Sequence, residues 1–348
     1  MNHRKIEIDT LRGLACLLLV IHHSIEGYFK AGMLNNSSFL VEFSIALKYL
    51  RMPLFTFLSG YVYSLHPVEY SGVKRFFIAK FRRLGLPIIF IGLPLAFLQA
   101  IFGTGEHLSL VDAALSPIIP KTLFWYLNAL ILIFFITAFL ELSGMLKTKL
   151  LAFISLCISL IVFVSPLRDI NILGIGGACY LLPFFLWGII VSRFLNDLSI
   201  GMSNFIKLCF VATFAYICWQ VGNGEISYSD VMEINVVPAL LSLVLCIGIY
   251  SFKMRSGFLA SIGVFSYTIY LYHSLAAPAL RIAISGLVGK DFFDNGSVVV
   301  VFVIVGAILG VIMPIVVHKI FSKNFYTSLL FLGIKLKYQH KEIATKTV

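Results

Sequence analysis

Charged residues are scarce in this chain. They make up 12% of its 348 residues, whereas a soluble domain carries about 25%. Hydrophobic residues make up 59%, in runs long enough to cross a hydrocarbon layer of about 30 Å, which takes roughly 20 helical residues. This composition excludes an ordinary water-soluble fold and predicts an integral membrane protein.

Sequence signals for metal binding and for separate domains are also lacking. The six cysteines all fall in predicted helices, and none forms a CxxC pair or a Cys/His group at metal-ligand spacing. Internal repeats, low-complexity tracts and linkers are missing as well. We therefore predict no metal cofactor and a single membrane domain over residues 1–348, with a short basic cytoplasmic tail from about residue 321.

The apolar runs predict an all-α bundle of about ten transmembrane helices. Charged or turn residues bound each run. A further segment, 39–50, has Glu42 and Lys48 spaced so that one apolar stripe remains, which favours an amphipathic helix on the outer membrane surface. The predicted spans are 11–29, 52–66, 84–102, 123–143, 149–166, 177–195, 204–221, 232–251, 259–282 and 297–320.

The basic residues predict the orientation of the bundle. Most of the 27 Lys and Arg residues, including Arg4 and Lys5, fall in segments that share the side of the N-terminus. The positive-inside rule then places both termini in the cytoplasm. Since these charges are scattered over loops, anionic lipid headgroups and an anionic cosubstrate suit them better than nucleic acid does. No small-residue cleavage site follows the first apolar run, so we expect an uncleaved first span.

The first predicted span concentrates polar residues that a bilayer makes costly. Arg12 and His23 are eleven residues apart, which is roughly 16 Å along a helix and close to the same face. An elongated substrate could therefore contact a cation near one end of the span and an imidazole further across. The alternative is that Asp9 and Arg12 form an interfacial ion pair and that His23 is a packed histidine at the headgroup level.

A second polar cluster precedes the third predicted span. Lys80, Arg82 and Arg83 would meet phosphate in a partly desolvated mouth on the cytoplasmic side. A phosphate-rich donor entering from the cytoplasm would need such a site. The alternative is that these residues only satisfy the positive-inside rule.

Five stretches in sequence order resemble the membrane-bound acyltransferase 3 family. The resemblance implies a bundle of about ten helices, an acyl-CoA donor bound from the cytoplasm and an acceptor presented on the far side of the membrane. Bacterial members commonly acetylate surface polysaccharides. The five stretches are IDTLRGLACLLLVIHH (8–23), MPLFTFLSGYVYSL (52–65), KFRRLGLP (80–87), TLFWYLNALI (122–131) and FSYTIYLYHS (265–274).

The resemblance identifies candidate substrates and donor-binding residues. It implies acetyl-CoA as cosubstrate, a sugar hydroxyl of O-antigen, capsule or exopolysaccharide as acceptor, free or lipid-linked, and a location in the inner membrane. The family's arginine, ten residues and then histidine correspond to Arg12 and His23, with His22 as a stand-in. Lys80 and Arg83 have the spacing of the family's paired arginines, although lysine binds phosphate as a point charge rather than as a fork. The predicted donor-binding residues are Arg12, Lys80, Arg82 and Arg83.

The chemistry of acyl transfer independently points to histidine. Transfer from a thioester to an alcohol requires a base that works near neutral pH, and imidazole is the side chain best suited to that. We assign this role to His23, with Glu26 three residues on as its orienting partner. His23 could instead act as a nucleophile that forms an acyl-imidazole. The sequence leaves both routes open.

The remaining candidate residues each have a structural alternative. The resemblance makes Ser266, Tyr267 and His273 cavity-lining residues, whereas an aromatic belt with a headgroup histidine would explain them equally well. Trp125 and Tyr126 either stack on a sugar ring or anchor a helix. Two further predictions concern single positions: Ser59-Gly60 allows close helix packing or leaves room for the donor, and Glu141 reaches water.

Other functions remain open at this stage. A secondary transporter would show paired broken helices in two related halves, and a polysaccharide-export component would not need a deep histidine opposite an arginine cluster. Among enzymes, the nearest alternatives are a succinyl donor and an amine or lipid acceptor.

Overall fold

In the computed structural model the chain is a bundle of α-helices. The structure describes residues 6–35, 38–102, 108–195, 199–227, 235–289, 291–293 and 296–335, and no strand occurs among them. Arg4 and Lys5, residues 232–234 of the predicted eighth span and the tail beyond 335 lie outside the described residues. The α-helices are α1 Ile6–Lys30, α2 Phe39–Leu65, α3 Val73–Lys80, α4 Leu93–Phe102, α5 Leu110–Leu115, α6 Trp125–Leu142, α7 Lys149–Phe163, α8 Ile175–Phe194, α9 Ile200–Gly222, α10 Val236–Ser251, α11 Gly257–Val264, α12 Ser266–Val288, α13 Gly296–Phe321 and α14 Phe325–Leu332.

Among the residues that the structure describes, six helical segments are long and apolar enough to cross a membrane. Helices α7 and α10 are apolar but shorter. Helices α2 and α12, of 27 and 23 residues, also exceed the roughly 20 residues that a span needs. The predicted all-α, multi-pass membrane protein is therefore supported, while the count of about ten spans and the cytoplasmic termini stay predictions. The six segments are Ile6–Lys30, Tyr70–Phe102, Trp125–Leu142, Ile175–Phe194, Ile200–Gly222 and Gly296–Phe321.

The predicted surface helix 39–50 is wrong. These residues form the first half of α2, which runs without interruption into the predicted second span. Their apolar stripe is covered by protein, since Val41, Ile45 and Ala46 are buried in the core. The stripe that looked suited to a membrane surface packs inside the bundle, where α2 lies against α1.

Two other predicted spans have an internal irregularity. The third predicted span, 84–102, belongs to a longer helical run that contains π-helical turns at Phe81–Gly85 and Ile88–Gly92. Pro87 lies between them and has no backbone N–H to close a regular turn. The predicted span 259–282 is divided at Phe265, where α11 ends and α12 begins. Helix α11 packs against α1, so the division lets α12 take a separate direction along α1 and α13.

Close helix packing at Ser59-Gly60 is confirmed. A Cβ atom added at Gly60 would lie 1.9 Å from the carbonyl oxygen of Phe185, and one added at Gly188 would lie 2.0 Å from that of Phe57. Small residues at such crossings let two backbones touch. The alternative, that the space beside Gly60 receives a substrate, is wrong because the backbone of α8 occupies it.

Glu141 does not reach water as predicted. Its two carboxylate oxygens accept hydrogen bonds from Arg193 at 3.1 and 2.8 Å, and both side chains are mostly buried. This bidentate pair joins the end of α6 to the end of α8.

Candidate functional site

A cavity of about 330 Å³ lies between α1, α2, α6, α12 and the π-helical turn that follows α3. We call it the cationic cavity, because three of the four predicted donor-binding residues line it. Two aromatic residues and a serine that were predicted as site residues line it as well. The predicted residues on its wall are Arg12, Lys80, Arg83, Tyr126, Ser266 and Tyr267.

Aromatic rings and one carboxylate hold the cations of the cavity in place. Lys80 Nζ lies 3.7 Å from the ring centroid of Phe134, and the Arg83 guanidinium lies 4.9 Å from that of Tyr267. The Tyr267 hydroxyl also donates a hydrogen bond to the backbone carbonyl of Arg83. Arg12 forms the expected pair with Asp9, at 3.8 Å, yet it still lines the cavity. The two interpretations of Arg12 are thus compatible, and the cavity has a strong positive bias that suits an anionic ligand.

A second polar group lies further along α1. His23 Nδ1 is 2.9 Å from Glu26 Oε2, and His22 Nε2 faces the same carboxylate oxygen at 3.4 Å. The other carboxylate oxygen of Glu26 pairs with Lys30 at 3.2 Å. The predicted orientation of His23 by Glu26 is therefore present in the geometry. We call His22, His23, Glu26, Arg51 and His273 the histidine cluster.

Arg51 is the member of the cluster that the sequence did not reveal. Its Nη1 lies 3.2 Å from His23 Nε2. Because a guanidinium can only donate and a carboxylate can only accept, His23 carries its proton on Nδ1 and accepts at Nε2. A charge beside an apolar run, in YLRMPLF, was the available signal, but Arg51 falls just before the predicted second span at 52–66, whereas the structure has it inside α2.

His22 is buried more deeply than His23. Its side chain is fully buried, whereas that of His23 is 17% exposed. Ser44 on α2 lies 2.7 Å from His22 Nδ1, and Glu26 faces the other ring nitrogen. His22 is thus enclosed by neighbouring protein atoms, and His23 has the more accessible ring.

His273 and Tyr270 connect the two groups of residues. The His273 ring centroid lies 5.1 Å from that of His23 and 6.2 Å from that of Tyr270. Tyr270 lines the cationic cavity and lies 5.2 Å from Tyr126, measured between ring centroids. Helix α12 therefore carries a tyrosine of the cavity wall and a histidine of the cluster within one turn, so Tyr270 links the two groups by ring contacts, although no residue of the cluster lines the cavity itself.

Two predicted site residues lie elsewhere. Arg82 lines a separate apolar groove, beside Phe81 and Phe135, rather than the cationic cavity. Trp125 packs against Gly177 and lies 6.4 Å from Tyr180 between ring centroids, so it joins α6 to α8. Arg82 therefore does not line the cationic cavity, and Trp125 contributes to helix packing, while donor binding by Arg82 and sugar stacking by Trp125 stay predictions.

Three atoms of the histidine cluster are close enough to hold a metal ion. Ligand atoms of His22, His23 and Glu26 all lie within 4.8 Å of one another. However, the Arg51 guanidinium already contacts His23 Nε2, and the Lys30 ammonium already pairs with Glu26 Oε1. Two cations in direct contact with the ligand set oppose a divalent ion by charge repulsion. The arrangement is better suited to orienting an imidazole than to binding a metal.

A family model described as an acyltransferase domain matches residues 5–318. The matched region contains the whole cationic cavity and the whole histidine cluster. No curated protein and no solved structure matches the chain.

Proposed function

Since this chain belongs to the acyltransferase 3 family and is a membrane acyltransferase, we propose that it transfers an acetyl group from acetyl-CoA to a sugar hydroxyl. The acceptor is a surface polysaccharide, such as O-antigen, capsule or exopolysaccharide, in free or lipid-linked form. The donor enters from the cytoplasm and the acceptor is met at the periplasmic side of the inner membrane. This is an extension of the family's chemistry to a particular donor and acceptor.

One observation carries the proposal: the cationic cavity and the histidine cluster meet at Tyr270. CoA combines several phosphates with a long pantetheine arm that ends in the thioester. Arg83 and Lys80 at the cavity supply charge for phosphate, and the arm would lead the thioester past Tyr270 toward His23. A site that only bound an ion would not need both the cationic cavity and the histidine cluster.

The histidine cluster supplies the reactive group in this proposal. The Nδ1 proton of His23 is held by Glu26, which leaves the Nε2 lone pair to act as base or nucleophile. Arg51 must release that lone pair when substrate arrives. Its guanidinium would then lie beside the thioester carbonyl, where a donor stabilises the negative charge that develops on oxygen.

The proposal is tested by turnover of the purified protein in lipid. Acetyl-CoA, with a crude surface-polysaccharide fraction as acceptor, should yield free CoA and acetylated polysaccharide. Succinyl-CoA in place of acetyl-CoA tests the alternative donor, and an amine or a lipid in place of the polysaccharide tests the alternative acceptors. Movement of labelled polysaccharide across the membrane without any thioester consumption would instead indicate a transporter or export component.

Arg83→Gln should raise the KM for acetyl-CoA about tenfold or more, with a much smaller effect on kcat. The reason is that a charge-assisted hydrogen bond to phosphate contributes about 1.5–3 kcal/mol, and binding is what this residue would supply. The measurement is steady-state kinetics at low and at high salt, since added salt should shrink the difference.

Arg75→Gln is the matched control for this change. Arg75 is an exposed cation on α3 that does not line the cavity. The Arg75→Gln variant should leave the KM for acetyl-CoA nearly unchanged. An equal rise in the KM for acetyl-CoA in both variants would mean that general surface charge, and not the cavity, attracts the donor.

A further inference from the structure

The three imidazoles of the histidine cluster differ in which ring nitrogens are already occupied. His22 faces Ser44 at one nitrogen and Glu26 at the other. His23 is bonded to Glu26 at Nδ1 and to Arg51 at Nε2. His23 therefore has both ring nitrogens engaged in hydrogen bonds, whereas His22 Nε2 forms no hydrogen bond and lies 3.4 Å from a carboxylate oxygen.

His273 has one nitrogen engaged and one open. Its Nδ1 lies 3.0 Å from the carbonyl oxygen of Ile269 and 2.8 Å from that of Tyr270. Carbonyl oxygens can only accept, so the proton is on Nδ1 and Nε2 carries a lone pair. That Nε2 is buried, and no described residue forms a hydrogen bond with it, although the side chain is 97% enclosed.

A buried acceptor without a partner is costly and calls for an explanation. Leaving such a group unpaired forfeits the hydrogen bonds it would make in water, and unpaired buried groups are uncommon in folded proteins. The backbone of α12 itself holds the ring in this tautomer, so the open lone pair is a consequence of the local helix and not of chance side-chain packing. A ligand hydroxyl is a donor that would satisfy it.

We infer that His273 is a catalytic base, which takes the proton from the acceptor hydroxyl while His23 carries the acyl group. This inference rests on the proposed function and adds a division of roles within it. Two observations support the division: the two rings lie 5.1 Å apart between centroids, and the buried Nε2 of His273 has no hydrogen-bond partner. His22 Nε2 also forms no hydrogen bond, but it faces the Glu26 carboxylate at 3.4 Å.

The reaction then has two balanced steps. In the first, His23 Nε2 forms a C–N bond to the acyl carbon, the C–S bond breaks and the CoA thiolate leaves. The resulting acyl-imidazolium keeps its Nδ1 proton against the Glu26 carboxylate. In the second, the acceptor oxygen forms a C–O bond to the acyl carbon, its proton passes to His273 Nε2, and the C–N bond to His23 breaks. The CoA thiolate takes a proton from water as it leaves, so CoA is released as the free thiol before the acceptor arrives, and the proton on His273 later passes to water.

The experiment separates the two steps by leaving the acceptor out. The protein in lipid is mixed rapidly with acetyl-CoA alone, and released CoA is counted per protein molecule. Polysaccharide is then added, and steady-state turnover is measured. Wild type should release a burst approaching one CoA per protein and then turn over when the acceptor arrives.

Two substitutions at position 273 distinguish chemistry from structure. In His273→Asn the side-chain amide can still donate to the carbonyls of α12, but the Nε2 lone pair is lost. It should keep the burst and lose about 100-fold in steady-state turnover. His273→Gln can place an amide oxygen near the Nε2 position, which accepts a hydrogen bond but cannot take the proton, so it should also keep the burst and lose turnover. His318→Asn, on α13 and outside both the cavity wall and the cluster, should resemble wild type.

Each result supports or overturns the inference. A retained burst with slow turnover in His273→Asn supports it. Full turnover in His273→Asn overturns it, and so does an equal loss of burst and turnover, which indicates a structural or donor-binding role. Wild-type turnover without a burst also overturns it, because acyl transfer is then direct, while the proposed function stands. Absence of wild-type turnover with every acyl donor and acceptor tried overturns the proposed function itself.

Discussion

Replacing His23 by alanine should lower the rate of acyl transfer by about 10²- to 10⁴-fold. This is the range that a positioned base or nucleophile contributes, and His23 is the ring held by both Glu26 and Arg51. The measurement is CoA release with polysaccharide acceptor, using protein whose folding is checked by size-exclusion chromatography. The loss should appear mainly in kcat, because the residue acts on the reacting atoms and not on donor affinity.

Two further variants make this result specific. His23→Asn keeps a donor toward Glu26 and should be nearly as inactive as His23→Ala, which a purely structural role for the ring would not produce. His22→Ala should retain more activity, since the His22 ring is fully buried and bonded to Ser44. If His22→Ala is inactive and His23→Ala keeps full turnover, the assignment is off by one residue. Full activity in both His22→Ala and His23→Ala would contradict a mechanism that depends on either histidine.

Gly60→Ala should destabilise the folded protein severely. The added Cβ would lie 1.9 Å from the backbone carbonyl oxygen of Phe185, and neither backbone can move without separating α2 from α8. Overpacking in a core costs about 1–3 kcal/mol, and more where the obstacle is backbone. The expected result is a lower unfolding temperature, or loss of monodisperse protein, in a thermal assay in detergent or lipid.

Gly201→Ala is the matched control for this substitution. A Cβ atom at Gly201, near the start of α9, would meet nothing within 4 Å. Alanine is favoured over glycine in a helix by about 1 kcal/mol, so the change should be neutral or slightly stabilising. If Gly60→Ala unfolds at the same temperature as Gly201→Ala, the close contact between α2 and α8 does not contribute to stability as the structure indicates.

Several features of the site could be recognised in advance because they depend on local spacing. His23 and Glu26 are three residues apart on one helix, so their contact follows from helical geometry alone. The same holds for Asp9 and Arg12. Such pairs do not depend on how the bundle is packed.

Contacts between distant segments could not be recognised in the same way. Arg51 reaches His23 from α2, and His273 reaches it from α12, and no sequence spacing connects them. Arg82 and Arg83 show the same limit within a single motif. They are adjacent in sequence, yet only Arg83 lines the cavity, because neighbouring residues on a helical turn point in different directions.

The sequence by itself determined that this is a multi-pass membrane protein of the acyltransferase 3 family, since composition, apolar run length and motif order do not depend on packing. It also determined the pairing of His23 with Glu26. Only the tertiary structure decided that residues 39–50 are buried, that Arg83 and not Arg82 lines the cationic cavity, and that His273 presents an open nitrogen beside His23. The physical reason is that these outcomes depend on which helix faces come together, and helix packing brings together residues far apart in the chain.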